Sequence, residues 1–376
     1  MNTQLLDAVI DRALTESRIV GTVVMVLKDG QLAYHRAAGL ADREANVPMR
    51  EDAIFRFASL TKPIVTTAAM ALIERGQLGL DDPITKWLPE FTPKTRDGKT
   101  PTILIRQLLT HTAGLSYGFF EKADGAYHRA GVSDGLDMPG LSMKEEIKRL
   151  VSAGLFRSPG QKWIYSLGID VVGAALEAVT RESLQDAVKH LVTDPLNMAD
   201  TAFYVSDPSR VVTPYADGKP EPIRMSDLHV VPIEGTAGVS FSPSRIYNAA
   251  SFPSGGCGMA GTAKDFVTFL EALRRGGSPI LEPDTVRAMM SNQSGNLPPD
   301  PGWDFGFGGR LLNDPGLAQT PQSVGTWMWG GAYGHSWFVD PAKKLVVLGL
   351  TNTTFEGMNG VFPKDVRDAV YSAEKA

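Results

Sequence analysis

The chain has 376 residues, 43% of them hydrophobic, and a formal net charge of −5 with both signs spread along its length. That length supports a sizeable core and, by length alone, two structural domains. The charge pattern excludes a basic nucleic-acid face and a like-charged tail, and a single cysteine, Cys257, excludes an intramolecular disulfide or a cysteine-rich metal site.

Along the chain, Leu5, Leu6, Val9, Ile10, Ala13 and Leu14 share one helical face with charged residues interspersed, so the N-terminus reads as a folded helix rather than a signal peptide. Two β-forming runs then flank Asp29-Gly30, the signature of a tight hairpin. IFRFAS, at 54–59, is a short strand that leads into SLTKPIVTTAAMALIERG, a buried helix ending near Gly76 with Pro63 in its first turn. From about 80 to 250 the pattern is helical. TILIRQLLTH, SMKEEIKRLVSAG, GIDVVGAALEAVT and ESLQDAVKHLV are helix candidates, and the loop-rich stretches 115–140 and 205–255 are long enough to act as walls or lids.

The end of the chain is β-rich: FGFGGRLL (305–312), SVGTWMWGG, GHSWFVD and KLVVLGLTNT are strand candidates, followed by the helix PKDVRDAVYSAEK. Strands at both ends with a helical middle predict one sheet built from both termini and an inserted helical domain. The expected division is an α/β domain from 1–80 and 255–376, a mainly helical domain from 81–254, and an active site between them. No run of about 18 apolar residues exists to span a membrane, and a cytoplasmic location is expected. Nothing in the sequence assigns an oligomeric state.

Several short motifs compete for the chemistry. GLSYG, at 114–118, fits the Gly-x-Ser-x-Gly elbow with Ser116 as nucleophile, but an elbow needs a strand before it and a helix after it. Here LLTHTA precedes and FFEKADGAYHR follows, so a turn after a helix is the expected structure. GCGMAG, at 256–261, fits a dinucleotide-binding glycine pattern, yet loop residues precede it. It reads as a glycine-rich turn before a helix capped by Thr262. Ser59-Leu60-Thr61-Lys62 is a Ser-x-x-Lys at the mouth of the buried helix, where residues three apart share a face. Burial and the helix N-terminus should lower the lysine pKa and let it accept a proton. The same spacing at Ser372 and Lys375 sits near the terminus without that setting. Tyr165 in SPGQKWIYSLG and the glycines of MWGGAYGHSWFVDP are weak signals singly, although glycines within a strand mark close approach of a ligand or another backbone.

In combination these segments carry more. Ser-x-x-Lys, then LLTHTAGL, then PGxxWxYS, then WGGxYGHSWFVDP, in that order, resembles the serine β-lactamase and penicillin-binding-protein superfamily. Within it the chain is most similar to the class C β-lactamase-like carboxylesterases known as family VIII esterases, from about residue 20 to about residue 355. The resemblance implies a β-lactamase/transpeptidase-like fold, with an antiparallel sheet flanked by helices and an inserted helical domain. It implies Ser59 as nucleophile, Lys62 as neighbouring base and Tyr165 as the tyrosine of the second motif. Backbone N–H groups of Ser59 and Ala332 are the implied oxyanion hole, and Trp329, Gly330, Gly331 and His335 the substrate-facing segment. His335 reads equally well as a structural strand histidine.

Two departures direct the functional expectation. Tyr-x-Asn of β-lactamases and DD-peptidases is here Tyr165-Ser166-Leu167, and Lys-Thr-Gly is Trp329-Gly330-Gly331. The missing lysine removes positive charge that would meet a substrate carboxylate, and Trp329 offers an apolar face instead. The expected activity is hydrolysis of small-molecule, short-chain esters through an acyl-enzyme on Ser59, with no cofactor and no metal. The alternatives are a β-lactamase or DD-peptidase-like amidase, an acyltransferase, and a non-catalytic penicillin-recognising protein.

Overall fold

The computed structural model describes residues 2–372. It opens with α1 (Thr3–Thr15), capped by the Asn2 side chain, which accepts from the Leu5 N–H. The predicted hairpin follows as β1 (Gly21–Lys28) and β2 (Gln31–Asp42). Asp29 and Gly30 both take positive φ, 53° and 80°, the geometry whose twist matches the flanking strands. β3 (Val47–Pro48) pairs with β2, and β4 (Ile54–Arg56) leads through a short 3-10 turn at Ala58–Leu60 into α2 (Thr61–Glu74). Twelve residues of α2, from Thr61 to Leu72, are buried, so this helix is core on all sides rather than amphipathic.

The middle of the chain supplies α3 (Ile105–Leu109), α4 (Ala126–Ala130), α5 (Met143–Ala153), α6 (Gly168–Thr180) and α7 (Leu184–Val188). The run expected to be one helix after Ser183 changes to a π-turn at Lys189–Thr193. Two small hairpins follow, β5 (Tyr215–Ala216) with β6 (Ile223–Arg224), and β7 (His229–Val231) with β8 (Val239–Phe241). They occupy part of the stretch read from sequence as loop.

β9 (Ala260–Thr262) pairs with β4, and Thr262 caps α8 (Ala263–Arg274) by accepting from the Asp265 N–H. After α9 (Pro283–Met289), the run 305–312 is not one strand. It is β10 (Trp303–Phe305) and β11 (Arg310–Leu312) joined by a turn. Gly308 takes φ +84°, and a Cβ on Gly309 would lie 2.6 Å from Trp327 Nε1. β12 (Trp327–Gly331), β13 (His335–Asp340), β14 (Leu345–Thr351), α10 (Thr354–Asn359) and α11 (Val361–Tyr371) complete the chain. Lys375, of the second Ser-x-x-Lys, lies outside the described residues.

The strands at the two ends of the chain do form one antiparallel sheet, ordered β10-β11-β12-β13-β14-β1-β2-β3. β1 joins β14 in the register Met25 to Leu348. One face carries α1 and α11, through Leu6, Ile10, Val24, Val347 and Val366. The other packs on the main core, which contains α2, α6 and α8. Among the described residues no helix is long and apolar enough to cross a membrane.

Candidate active site

Ser59 stands where β4 turns into α2, and the turn is held from both sides. β4 pairs with β9, and the Phe57 N–H donates to the Met259 carbonyl at 2.8 Å. Ala58 adopts φ +46° although it is not glycine, a left-handed conformation that costs on the order of 1–3 kcal/mol and persists only where the surroundings impose it. One helical turn on, Lys62 is buried and its Nζ donates to Ser59 Oγ at 3.2 Å and to the Gly256 carbonyl at 2.9 Å. Tyr165, 106 residues away in sequence, donates its OH to Ser59 Oγ at 2.7 Å. Lys62 Nζ lies 4.6 Å from the centre of the Tyr165 ring. Serine, lysine and tyrosine therefore converge on one oxygen.

The lysine departs from expectation. Burial alone would favour the neutral amine, but the groups around it that can carry negative charge, Cys257, Tyr165 and Asp170, outweigh burial and hold its pKa above the ordinary lysine range. Lys62 is thus an ammonium whose Nζ donates to the Gly256 carbonyl.

Trp329 also does more than present an apolar face: its indole N–H donates to Tyr165 OH at 3.3 Å. Its ring lies 5.2 Å from that of Tyr165 and edge-on to Phe305. Gly330 lines the same cavity as Ser59, Tyr165, Trp329 and Ala332. A Cβ on Gly330 would sit 2.9 Å from both the His335 carbonyl and Met358 Cγ. Gly331 is glycine because the Phe57 carbonyl oxygen and Leu60 press on it. The close approach there is made by the serine's own turn and not by a ligand. His335 does not line this cavity. It is buried beneath the sheet, its Nε2–H donates to the Arg56 carbonyl at 2.8 Å, and burial lowers its pKa to about 4. Of the two sequence readings of His335, the structural one holds.

The two decoy motifs both take part, though not as their patterns suggested. Ser116 lies in a loop after α3; its Oγ donates weakly to the Tyr117 carbonyl at 3.4 Å and has no basic partner among the described residues. The same GLSYG segment delivers Tyr117, whose ring lies 5.2 Å from Lys62 Nζ and 5.0 Å from the Tyr165 ring. GCGMAG is a turn, as expected, and it supplies the Gly256 carbonyl to Lys62 and places Cys257 Sγ 3.9 Å from Ser59 Oγ. Burial raises the thiol pKa, against the opposing pull of the Lys62 charge. Asp170 on α6 holds this turn, accepting from Ser254 Oγ at 2.5 Å and from the Gly256 N–H at 3.3 Å. His111, within the LLTHTAGL segment, packs edge-on to Tyr165 at 4.9 Å and hydrogen-bonds Ser166 Oγ through Nδ1 at 3.2 Å. Burial, with the nearby Lys62 charge, keeps it neutral by lowering its pKa well below the usual value. No spacing rule points to Asp170 or His111, since each acts across elements remote in sequence.

The cavity above Ser59 has a volume of about 520 Å³, within the range of small-molecule sites. Tyr117, Phe119, Leu136, Ile233, Trp329 and Phe355 make its walls largely apolar. A larger groove of about 1080 Å³ runs along β1 and α8, but its lining includes no nucleophile paired with a base. The smaller cavity, which holds the serine that Tyr165 and Lys62 hydrogen-bond, is therefore the candidate site.

The comparisons with known proteins agree with this geometry. The Beta-lactamase family model matches residues 6–370. The chain is 49% identical to Esterase EstB of Burkholderia gladioli over 372 residues, covering 98% of this chain and 94% of that protein. It is 32% identical to Protein Rv1367c of Mycobacterium tuberculosis, covering 87% and 84%. Among solved structures it superposes on EstCE1, described as a hydrolase with promiscuous acyltransferase activity, with a TM-score of 0.94 and 43% identity over 98% of both chains. The chain belongs to the beta-lactamase family, and within it to the family VIII esterases that its motifs resemble.

Proposed function

We propose that this protein is a serine carboxylesterase that hydrolyses short-chain acyl esters through an acyl-enzyme on Ser59. The observation that carries the reading is Ser59 Oγ held between Tyr165 OH at 2.7 Å and Lys62 Nζ at 3.2 Å, at the floor of a mostly apolar cavity. The names of its relatives, Esterase EstB and the EstCE1 hydrolase, support it.

The reaction divides among the residues present. Tyr165, as phenolate, takes the Ser59 hydroxyl proton, while the Lys62 ammonium and the Trp329 N–H stabilise the phenolate oxygen. Oγ bonds to the ester carbonyl carbon, and the oxyanion is met by the backbone N–H groups of Ser59 and Ala332. Each such donor contributes about 3 kcal/mol in the transition state. The carbon–oxygen bond to the alcohol breaks, the alkoxide takes the proton from Tyr165, and water then repeats the sequence in reverse to free the acid. Gly330, Gly331 and Ala332 shape the oxyanion side, and Trp329 the acyl side. We assign the nucleophile and base segments to different domains, 1–80 with 255–376 and 81–254, so that the site lies between them.

An acyltransferase reading is favoured by the same apolar lining, which receives an alcohol as readily as water. EstCE1 carries a promiscuous activity of this kind beside hydrolysis. A β-lactamase or amidase reading lacks the lysine that Trp329 replaces.

The test labels the enzyme with a fluorophosphonate, which captures an activated serine, and maps the adduct after trypsin. Lys62 precedes Pro63 and resists cleavage, so Ser59 lies on Phe57–Arg75 and Ser116 on Gln107–Lys122. The adduct is expected on the first peptide, with hydrolysis abolished by Ser59→Ala and kept by Ser116→Ala. An adduct on the second peptide overturns the assignment, and no adduct on either points to a non-catalytic binding protein.

A further inference from the structure

Among the described residues, Arg310 is the only charged side chain that lines the cavity above Ser59. Together with Met328, Met358 and Asn359 it also lines a second cavity of about 450 Å³. These four residues line both cavities. The second cavity is walled further by Lys364 and Arg367 of α11, so three cations line it and, among the described residues, no carboxylate does.

The partners of these cations are few. Arg310 Nη2 donates to Met328 Sδ at 3.7 Å, its Nη1 lies 3.6 Å from the carboxylate of the largely exposed Asp300, and its guanidinium stacks 4.1 Å from the Trp303 ring centre. A thioether is a weak acceptor, and a guanidinium has five N–H donors to satisfy. An ion pair with an exposed carboxylate contributes about 1 kcal/mol or less. Taking a cation out of water without a close counter-charge is costly, and burial lowers the Arg310 pKa accordingly. Lys364 is exposed and has no ion pair among the described residues. Arg367 is joined to Asp368 at 2.8 Å. Gln322 lines the same cavity and is 3% exposed. Its Oε1 accepts from Thr320 Oγ1, but its Nε2–H donors are buried without a partner among the described residues. Unused buried donors and an under-paired guanidinium in the lining of one cavity leave it suited to an anion.

We propose that Arg310, which lines both cavities, binds a carboxylate carried by the substrate, with Lys364 at the rim, while the ester bond lies over Ser59. The inference rests on the esterase reading and narrows it to esters of dicarboxylic acids or of hydroxy acids. It also returns to the site, by another route, the positive charge that the Lys-to-Trp329 replacement removes. The apolar part of the ligand has matching walls in Met328 and Met358, which line both cavities.

The experiment compares matched pairs. Mono-4-nitrophenyl esters of glutarate through suberate, against 4-nitrophenyl alkanoates of equal length, probe the acid side. Acetate esters of ω-hydroxy acids, against alkyl acetates, probe the alcohol side. For at least one length on one side, the charged ester should have the higher kcat/KM, expressed mainly in KM. That ratio should fall tenfold or more in Arg310→Gln and several-fold in Lys364→Glu, and should fall with added salt. Because Lys364 is exposed, its variant keeps the test decisive if Arg310→Gln does not fold. Ratios at or below one for every pair, or a ratio that neither substitution moves, overturn the proposal.

A binding measurement separates its failure from failure of the esterase reading. Ser59→Ala protein, which cannot turn over, should bind monomethyl adipate more tightly than dimethyl adipate, and Arg310→Gln should erase the difference. Equal affinities overturn the carboxylate site even if esters are hydrolysed. Acetate or inorganic phosphate binding as tightly as the monoester would show a free-anion site unconnected to the ester, and would overturn it too.

Discussion

Replacing Tyr165 by Phe removes one oxygen and leaves the ring that packs against His111, Tyr117, Trp163 and Trp329. Two hydrogen bonds go with the oxygen, one to Ser59 Oγ and one from Trp329 Nε1. At about 1 kcal/mol each the cost in stability is about 2 kcal/mol, so the variant should fold. The kinetic cost is set by a different term. A positioned general base is worth about 10²–10⁴ in rate, or about 3–5 kcal/mol of barrier. Lys62 remains 3.2 Å from Ser59 Oγ, but as an ammonium it offers a proton instead of accepting one. The assay is steady-state hydrolysis of 4-nitrophenyl butyrate alongside thermal unfolding. We expect kcat to fall at least 100-fold, with KM within a few-fold because the cavity wall is intact, and a modest drop in Tm. A kcat within about threefold of wild type would refute the reasoning, since the tyrosine would then be a packing residue and the lysine the base.

The 520 Å³ cavity should favour acetyl and butyryl esters; rates of 4-nitrophenyl ester hydrolysis that climb steadily to palmitate would contradict this. Glu146 is buried on α5, and burial together with the charges of Asp170, Asp137 and Asp134 raises its pKa from 4.5 to about 8. A raised carboxyl keeps its proton in the folded state where the unfolded chain has lost it. Its stabilising contribution is therefore complete below the unfolded pKa and is lost as pH rises through the folded one. From about pH 6 to about pH 9 the loss is about 3 kcal/mol. Glu146→Gln should escape it, so the difference in unfolding free energy between variant and wild type should shift in the variant's favour by that amount; parallel pH profiles would count against it. Gly331→Ala drives a methyl group into the Phe57 carbonyl and Leu60. It should cost about 1–3 kcal/mol of stability and slow fluorophosphonate labelling of Ser59 by displacing its turn. Unchanged labelling would show that this strand does not position the nucleophile.

Much of this molecule is written locally. The Asp29-Gly30 hairpin, the Thr262 cap and the burial of α2 follow from residues within a few positions of each other, where backbone preference and side-chain period decide. Ser59 and Lys62 belong to this class, because a spacing of three on one helix turn fixes their proximity without any knowledge of the rest of the fold. Tyr165 and Trp329 are legible only through the order of motifs along the chain; their geometry is tertiary.

The tertiary structure alone decided the state of the lysine. Helix position and burial argue for a neutral amine, and the outcome reverses because the Gly256 carbonyl and the groups that can turn anionic, Cys257, Tyr165 and Asp170, arrive from elements remote in sequence. GLSYG and GCGMAG form neither an elbow nor a dinucleotide loop, yet both reach the site, because α6 packs against α2 and α3 and its Asp170 holds the Gly256 turn. His335 is adjacent in sequence to the site glycines, yet strand alternation and the Arg56 carbonyl turn it into the core. Arg310 has no sequence signal at all. Its meaning depends on which donors around it find acceptors, a quantity that exists only once the chain has closed on itself.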